Sequence, residues 1–222
     1  MRVRVEYGKG PNLKFVSHLD MVRLWERLLR RSKLPVSLTE GFNPHYKLSL
    51  GTVLPVGVWG CREYLDFELN KECLADTIIM KLKNSVPPGI TISSIQEINS
   101  KAQSLMAAIN AACYRLSLTP GYDIDNIVGE ILQADEINIK SRGDKIVNIR
   151  LGLQSLNILK DEGYTELEVY LAAGNDTAAV RLWDLIEALT IKGVSRENIS
   201  DIWREGNYVK LDSIYLSPLE AV

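Results

Sequence analysis

EYLDFELNKECLADTIIMKLKNSVPPGITISSIQEI, residues 63–98, decides the fold, because the period of its apolar residues changes twice. Tyr64, Asp66 and Glu68 alternate with Leu65, Phe67 and Leu69, the two-residue period of a strand. Residues 71–86 are amphipathic at helical spacing, Pro87-Pro88-Gly89 breaks that helix, and ITISSIQEI reads as a strand again. Upstream, MRVRVEY sets Val3, Val5 and Tyr7 on one face of a half-buried strand, which GKGPN ends. A helix begins at FVSHLD. Ser17 is its candidate N-cap, Asp20 completes a capping-box pattern, and Val16 offers a hydrophobic staple. Met21, Leu24, Trp25, Leu28 and Leu29 follow at helical spacing as one buried stripe, and Pro35 closes the helix.

The order over residues 1–98 is therefore β-α-β-β-α-β, the ferredoxin-like arrangement. Residues 99–111 read as a connector. Residues 112–222 give a similar order: strand ACYRLSLT, helix 120–134, a hairpin of EINIKSR and KIVNIRL around Gly143-Asp144, strand YTELEVYLAA, helix TAAVRLWDLIEALT and a final strand or hairpin, ENISDIWREGNYVKL. Residues 152–163 read as an insertion. No sequence repeat accompanies this, so duplication rests on element order alone. The expected fold class is α+β, two tandem ferredoxin-like sandwich units over 1–98 and 112–222.

Hydrophobic residues at 46% and charged residues at 24% are ordinary for a globular protein. No apolar run reaches the roughly 18 residues that span a bilayer, and the first ten residues lack a signal peptide's apolar stretch. The expected compartment is the cytoplasm, with no membrane partner. Cys61, Cys73 and Cys113 are three thiols without CxxC spacing, which fits reduced cysteines and argues against a disulfide framework or a zinc or iron–sulfur site. The net charge of −2 hides an asymmetry: residues 1–60 carry ten Lys/Arg against four Asp/Glu, the remaining 162 carry 16 against 24. Such a basic segment suits an anionic partner or the acidic half of the same molecule.

Both histidines lie in that segment. Arg23, Arg27, Arg30 and Arg31 form a ridge opposite the apolar stripe, with Glu26 placed to pair with Arg30. EGFNPHYKLSLG, residues 40–51, supplies Gly41 for a backbone angle that side chains resist and Asn43-Pro44 for a turn. His45 and Lys47 share parity on the chain leaving it. His18 sits in the first helical turn, where free N–H groups favour anions. If the turn packs over that helix end, His18, Asn43 and His45 converge on an anion site that Arg23 or Arg27 can reach. Each residue also has a plain structural reading: a carbonyl contact for His18, a turn for Asn43 and Pro44, a solvated face for the arginines. Asp66 and Glu68, beside Glu63, read as the wet face of a strand.

No nucleophile elbow, phosphate loop, HExxH or dinucleotide fingerprint is present. No catalytic residue, metal site or cofactor is expected. His18 with His45 is the one acid–base pair the composition allows, in the manner of metal-free RNA cleavage.

The string from Phe15 to Leu69 resembles the radical-SAM-linked protein family, a bacterial domain of unknown function fused to, or encoded beside, B12-binding-type radical SAM proteins. The residues that carry the likeness are Phe15, Ser17-His18-Leu19-Asp20, Arg23, Arg27, Arg30-Arg31, Leu34-Pro35, Gly41-Phe42-Asn43-Pro44-His45, Leu54-Pro55-Val56-Gly57, Glu63 and Asp66. Leu38-Thr39 stands where the family often has Tyr-Ser, and Tyr46 where it often has Pro. The resemblance implies a radical SAM protein as partner, in a setting associated with RNA. Without a CxxxCxxC motif the chain is not itself the radical enzyme. The leading expectation is an accessory domain that binds RNA or another anionic substrate through His18, Arg23, Arg27, Arg30, Arg31, Asn43, His45 and Lys47. The alternatives are a protein–protein adaptor without nucleic acid and a His-dependent enzyme acting on RNA.

Overall fold

The computed structural model describes residues 1–121, 123–161, 164–174 and 176–221. Tyr122, within the expected helix 120–134, and Glu162-Gly163, within the expected insertion, lie outside the described residues.

The first half runs β1 (Arg2–Lys9), α1 (His18–Ser32), β2 (Leu48–Leu50), β3 (Trp59–Glu68), α2 (Ala75–Lys83) and β4 (Ile90–Ile98). A short helix, α3 (Leu105–Ala108), follows. The second half runs β5 (Ala111–Leu118), α4 (Ile124–Gln133), β6 (Asn138–Lys140), β7 (Ile146–Asn148), β8 (Leu153–Asp161), β9 (Tyr164–Ala172), α5 (Leu182–Ile191), β10 (Ile199–Leu211) and β11 (Ile214–Leu216). The class is mixed α+β, as expected.

The helix signals work as the local chemistry dictates. Ser17 Oγ accepts from Asp20 N at 3.3 Å and its hydroxyl donates to the Asp20 carboxylate at 2.7 Å, so the cap and its acid fix each other. Lys33, at φ 52, takes the left-handed position that ends α1 ahead of Pro35. Met21, Trp25, Leu28 and Leu29 are buried against Val3, Val5 and Tyr7 of β1. The 3.6-residue period of the helix keeps this stripe on one side and the arginines on the other.

The strands join in one mostly antiparallel sheet of order β4-β1-β3-β10-β5-β9-β8, with β2 on β3 and β11 on β10. Within each half the fourth strand lies beside the first, then the third, then the second: β4-β1-β3-β2 and β10-β5-β9-β8. The expected insertion at 152–163 is corrected, because residues 153–161 are edge strand β8, antiparallel to β9. The expected hairpin is present as β6 and β7, but stands off the main sheet as a ribbon of its own.

The halves meet at one parallel pairing. β1 occupies one edge of β3, and the other edge is shared. β2 pairs with Leu65 to Phe67, while β10 pairs Trp203 with Trp59 and Arg204 with Gly60. Each half buries its own apolar cluster, but Leu54 and Val58, from the loop before β3, pack into the second half's cluster. The connector is fixed rather than loose. Leu105 and Ile109 are buried with Tyr64, and the carbonyls of Ala102 and Gln103 accept from Arg2 and Arg4.

Candidate functional site

α1 sorts its side chains by helical angle. Arg23, Arg27 and Arg30 project from the solvent stripe with Leu19, opposite the buried residues. Arg23 meets Asp20 at 3.0 Å, whereas Arg27 and Arg30 make no ion pair among the described residues. Ser17 and the Arg23 guanidinium hold the Asp20 carboxyl below its ordinary value. Arg31 turns toward α2 and donates to the Ser85 carbonyl at 2.8 Å. The ridge is thus a stripe of three arginines with a fourth tied to the chain just beyond α2.

The 40–47 segment is a closed loop. Thr39 N donates to the His45 carbonyl at 2.7 Å, and His45 N to Thr39 Oγ1 at 3.0 Å. Gly41 holds φ +127, the region that favours glycine. Asn43 and Pro44 are exposed, and Phe42 at the tip is fully exposed. Lys47 lies 3.4 Å from Glu68. The loop meets α1 at its middle: His45 Nδ1 lies 3.3 Å from Glu26 Oε1, which is where the expected Glu26–Arg30 pair is replaced. Glu26 lies eight residues beyond His18, about 12 Å of helix rise. The expected convergence of His18, Asn43 and His45 at the helix start is therefore corrected, and the two imidazoles share no acid–base site.

His18 instead turns inward. It lines a small pocket of about 20 Å³ with Tyr7, Lys9, Thr52 and Glu63, room for a single water. Burial, then the charge of Arg204, hold its imidazole below the usual value of 6.5, against the opposing pull of Glu63. Burial likewise lowers the Lys9 ammonium, which donates to the Val16 carbonyl at 2.9 Å.

Beneath this cavity lies what the sequence concealed. Arg204, 1% exposed, donates Nε to Glu63 Oε1 at 2.7 Å and meets the other carboxylate oxygen with its terminal nitrogen. Its remaining donors reach Thr52 Oγ1 at 3.0 Å and the Thr52 carbonyl at 2.9 Å. Burial alone would lower this guanidinium, but Glu63 and Tyr114 outweigh it and hold it above its ordinary value. Asp66 is buried too, with both oxygens on Arg4 at 2.8 and 2.9 Å and one on Arg2 at 2.7 Å. The wet-face reading is corrected for Asp66, which like Glu63 beside it is an interior anion paired across a long sequence separation, while the Glu68 side chain stays half-exposed.

Among the described residues no group of three or more His, Cys, Asp or Glu is placed to hold a metal ion, and all three cysteines are free thiols. Among the described residues no helix is long and apolar enough to cross a membrane.

A family model described as "Uncharacterized protein conserved in bacteria (DUF2344)" matches residues 2–181. The chain belongs to that family. The match runs from β1 through the N-cap of α5, so it takes in the arginine stripe, the 40–47 loop, Glu63 and Asp66, and stops short of Arg204. No curated protein matches the chain. A solved structure described as "Structure of H/ACA RNP bound to a substrate RNA containing 2'-deoxyuridine" is similar at TM-score 0.49 and 15% identity, over 91% of this chain and 46% of that one. This chain spans less than half the length of that one.

Proposed function

We propose that this member of the family is a cytoplasmic accessory domain that works with a radical SAM enzyme and holds RNA, or a similar polyanion, on the outer face of α1. The observation that carries the reading is the unpaired stripe: Arg27 and Arg30 face solvent without a carboxylate partner among the described residues, beside Arg23. Guanidinium groups in one row match successive backbone phosphates. Asn43, His45 and Lys47 extend the stripe across the 40–47 loop, whereas His18 faces inward and stands apart from it. The radical SAM partner comes from the resemblance of residues 15–69. Tandem ferredoxin-like units are our reading of the two halves, supported by the strand order that β4-β1-β3-β2 and β10-β5-β9-β8 share.

A second reading has its own observation. Phe15, Leu19 and Phe42 are strongly exposed in the α1 and loop segments that carry the arginines. Apolar side chains of this size in a basic setting suit a protein face, which makes an adaptor docking on the enzyme the competing role.

Titration of labelled single-stranded RNA against salt separates the two. The double variant Arg27→Ala/Arg30→Ala is expected to flatten the slope of log K against log salt by about 1.4, since each of the two lost phosphate contacts removes about 0.7. An unchanged slope removes the stripe from the reading. No RNA affinity at low salt, with capture of the enzyme abolished by Phe42→Ala, establishes the adaptor instead.

A further inference from the structure

We propose that the cleft between the two halves, on the far side of Thr52 from the His18 cavity, is a binding site for a nucleoside phosphate. This site is separate from the α1 stripe. The cleft measures about 420 Å³, within the range of roughly 300–1,000 Å³ that small-ligand pockets occupy. One wall is the loop through Val53 and Pro55, and the facing wall is the stretch from Ala179 to the start of α5. Met106 of α3 closes one end, and Arg142, from the turn between β6 and β7, stands at the rim.

The walls are held in place before any ligand arrives. Ala173 N donates to the Asn110 carbonyl at 2.9 Å, and Val180 N to the Ala172 carbonyl at 3.1 Å. Gly174, at φ +66, lies so close to the Ile109 carbonyl that no side chain fits there, which pins the second wall against the connector. The Arg204 guanidinium forms part of the floor, but its donors are engaged by Glu63, Thr52 and the Val53 carbonyl, so it shapes the cleft and leaves recognition to others.

Two kinds of group remain for a ligand. Val53, Met106 and the flat indole of Trp183 leave apolar surface uncovered. Arg181 is held by Asp184, with Nε at 3.0 Å and a terminal nitrogen at 2.7 Å, and also meets Ser141, so its plane is fixed toward the same mouth. Arg142, next to Ser141 in sequence, is exposed and makes no ion pair among the described residues. Asp184 already answers Arg181 and Glu63 already answers Arg204, so Arg142 is the uncompensated charge of the cleft. Apolar walls with an indole suit a flat ring. A guanidinium pair at the rim suits a phosphate. Phosphate alone leaves the walls uncovered, and a neutral ring leaves Arg142 unanswered. The ligand class that satisfies both is a base joined to a phosphate, either as a free mononucleotide or as the 5′ end of a strand.

Calorimetric titration of the full chain tests this with adenosine monophosphate, adenosine, inorganic phosphate, octanoate and a 5′-phosphorylated hexaadenylate. The mononucleotide is expected to bind with Kd below about 1 mM, and adenosine and phosphate each about tenfold or more weaker. Arg142→Ala is expected to weaken the mononucleotide about tenfold or more through loss of a charge-assisted hydrogen bond. Val53→Glu, an exposed position facing the same space, is expected to abolish binding, while Arg27→Ala/Arg30→Ala leaves it unchanged. Hexaadenylate binding more tightly than the mononucleotide, still dependent on Arg142, assigns the site to a strand end; equal or weaker binding assigns it to the free nucleotide. No saturable binding by the mononucleotide or the hexamer overturns the proposal. So does octanoate binding as tightly as the mononucleotide, or an affinity that neither Arg142→Ala nor Val53→Glu alters.

Discussion

Arg204 and Arg27 are the same residue type in opposite circumstances. Arg204 sits on β10 at the one parallel pairing between the halves, buried, with Glu63 on Nε and one terminal nitrogen and Thr52 on both terminal nitrogens. Arg27 projects from the middle of α1 into solvent with no carboxylate opposite it among the described residues. An interior cation is tolerated only when every donor is answered, because its desolvation costs several kcal/mol. A surface cation costs almost nothing and stays available. Charge at the first site is structure, and charge at the second is a surface open to a partner. Buried charges cancel, with Arg4, Lys9 and Arg204 against Glu63, Asp66 and Asp184, so the basic stripe on a chain of net charge −2 reflects the uneven spread of charge along the sequence, ten Lys/Arg against four Asp/Glu over residues 1–60.

The largest effect should come from breaking the buried pair. Glu63→Ala strands Arg204 in the interior and is expected to cost about 3–5 kcal/mol, a fall of roughly 10 °C in Tm for a chain of this size. Arg27→Ala is expected to change stability by no more than about 0.5 kcal/mol. Replacing both partners, Glu63→Leu with Arg204→Met, should recover most of the loss, since an apolar pair of similar volume leaves no stranded charge. Thermal unfolding of the four proteins decides it. Equal losses for Glu63→Ala and Arg27→Ala would erase the distinction drawn between the two sites.

The same contrast sets what could be read from the sequence. α1 was legible because its signals are local: the Ser17 cap, the stripe from Met21 to Leu29 and Pro35 all lie within 20 residues. The pattern from Tyr64 to Ile98 likewise gave β3, α2 and β4 in order. The arginine stripe was found for the same reason. The Glu63 and Asp66 pairs were missed because their partners lie 141 and 62 residues away, and alternation along a strand says which side a residue faces without saying what covers that side. Residues 153–161 were missed as a strand because LQSLNILKD has no clean alternation, and only pairing with β9 makes it one. The position of the 40–47 loop against the middle of α1, with His45 beside Glu26 and Tyr46 packed on the apolar cluster beneath the helix, is a tertiary contact that no spacing encodes.

His18 offers a finer probe of the interior side. Its folded value is held below 6.5 by burial and by Arg204, so between the two values the unfolded chain binds more protons. The stability this gives is fully present above the unfolded value and is lost as pH falls through the folded one. Tm measured from pH 7.5 down to pH 5 should therefore drop further for the native chain than for His18→Asn. Parallel curves would mean that neither burial nor Arg204 acts on the imidazole, and would place it with the solvent-facing group.

The smallest expected effect lies where the loop touches α1. Glu26 and His45 meet at 3.3 Å, but the His45 side chain is largely exposed, so the pair falls among surface ion pairs worth about 1 kcal/mol or less. A double-mutant cycle of Glu26→Gln and His45→Gln, read by chemical unfolding, should give a coupling of at most about 0.5 kcal/mol. What holds the loop closed is instead the exchange between Thr39 and His45, where the backbone and the Thr39 hydroxyl supply both bonds. Thr39→Val removes one of them and should cost about 1 kcal/mol, more than the ion pair does. If the cycle yields the larger number, the loop is positioned by its charge on α1, and Glu26 then belongs with Glu63 as an acid that fixes geometry rather than one that merely tempers the basic face.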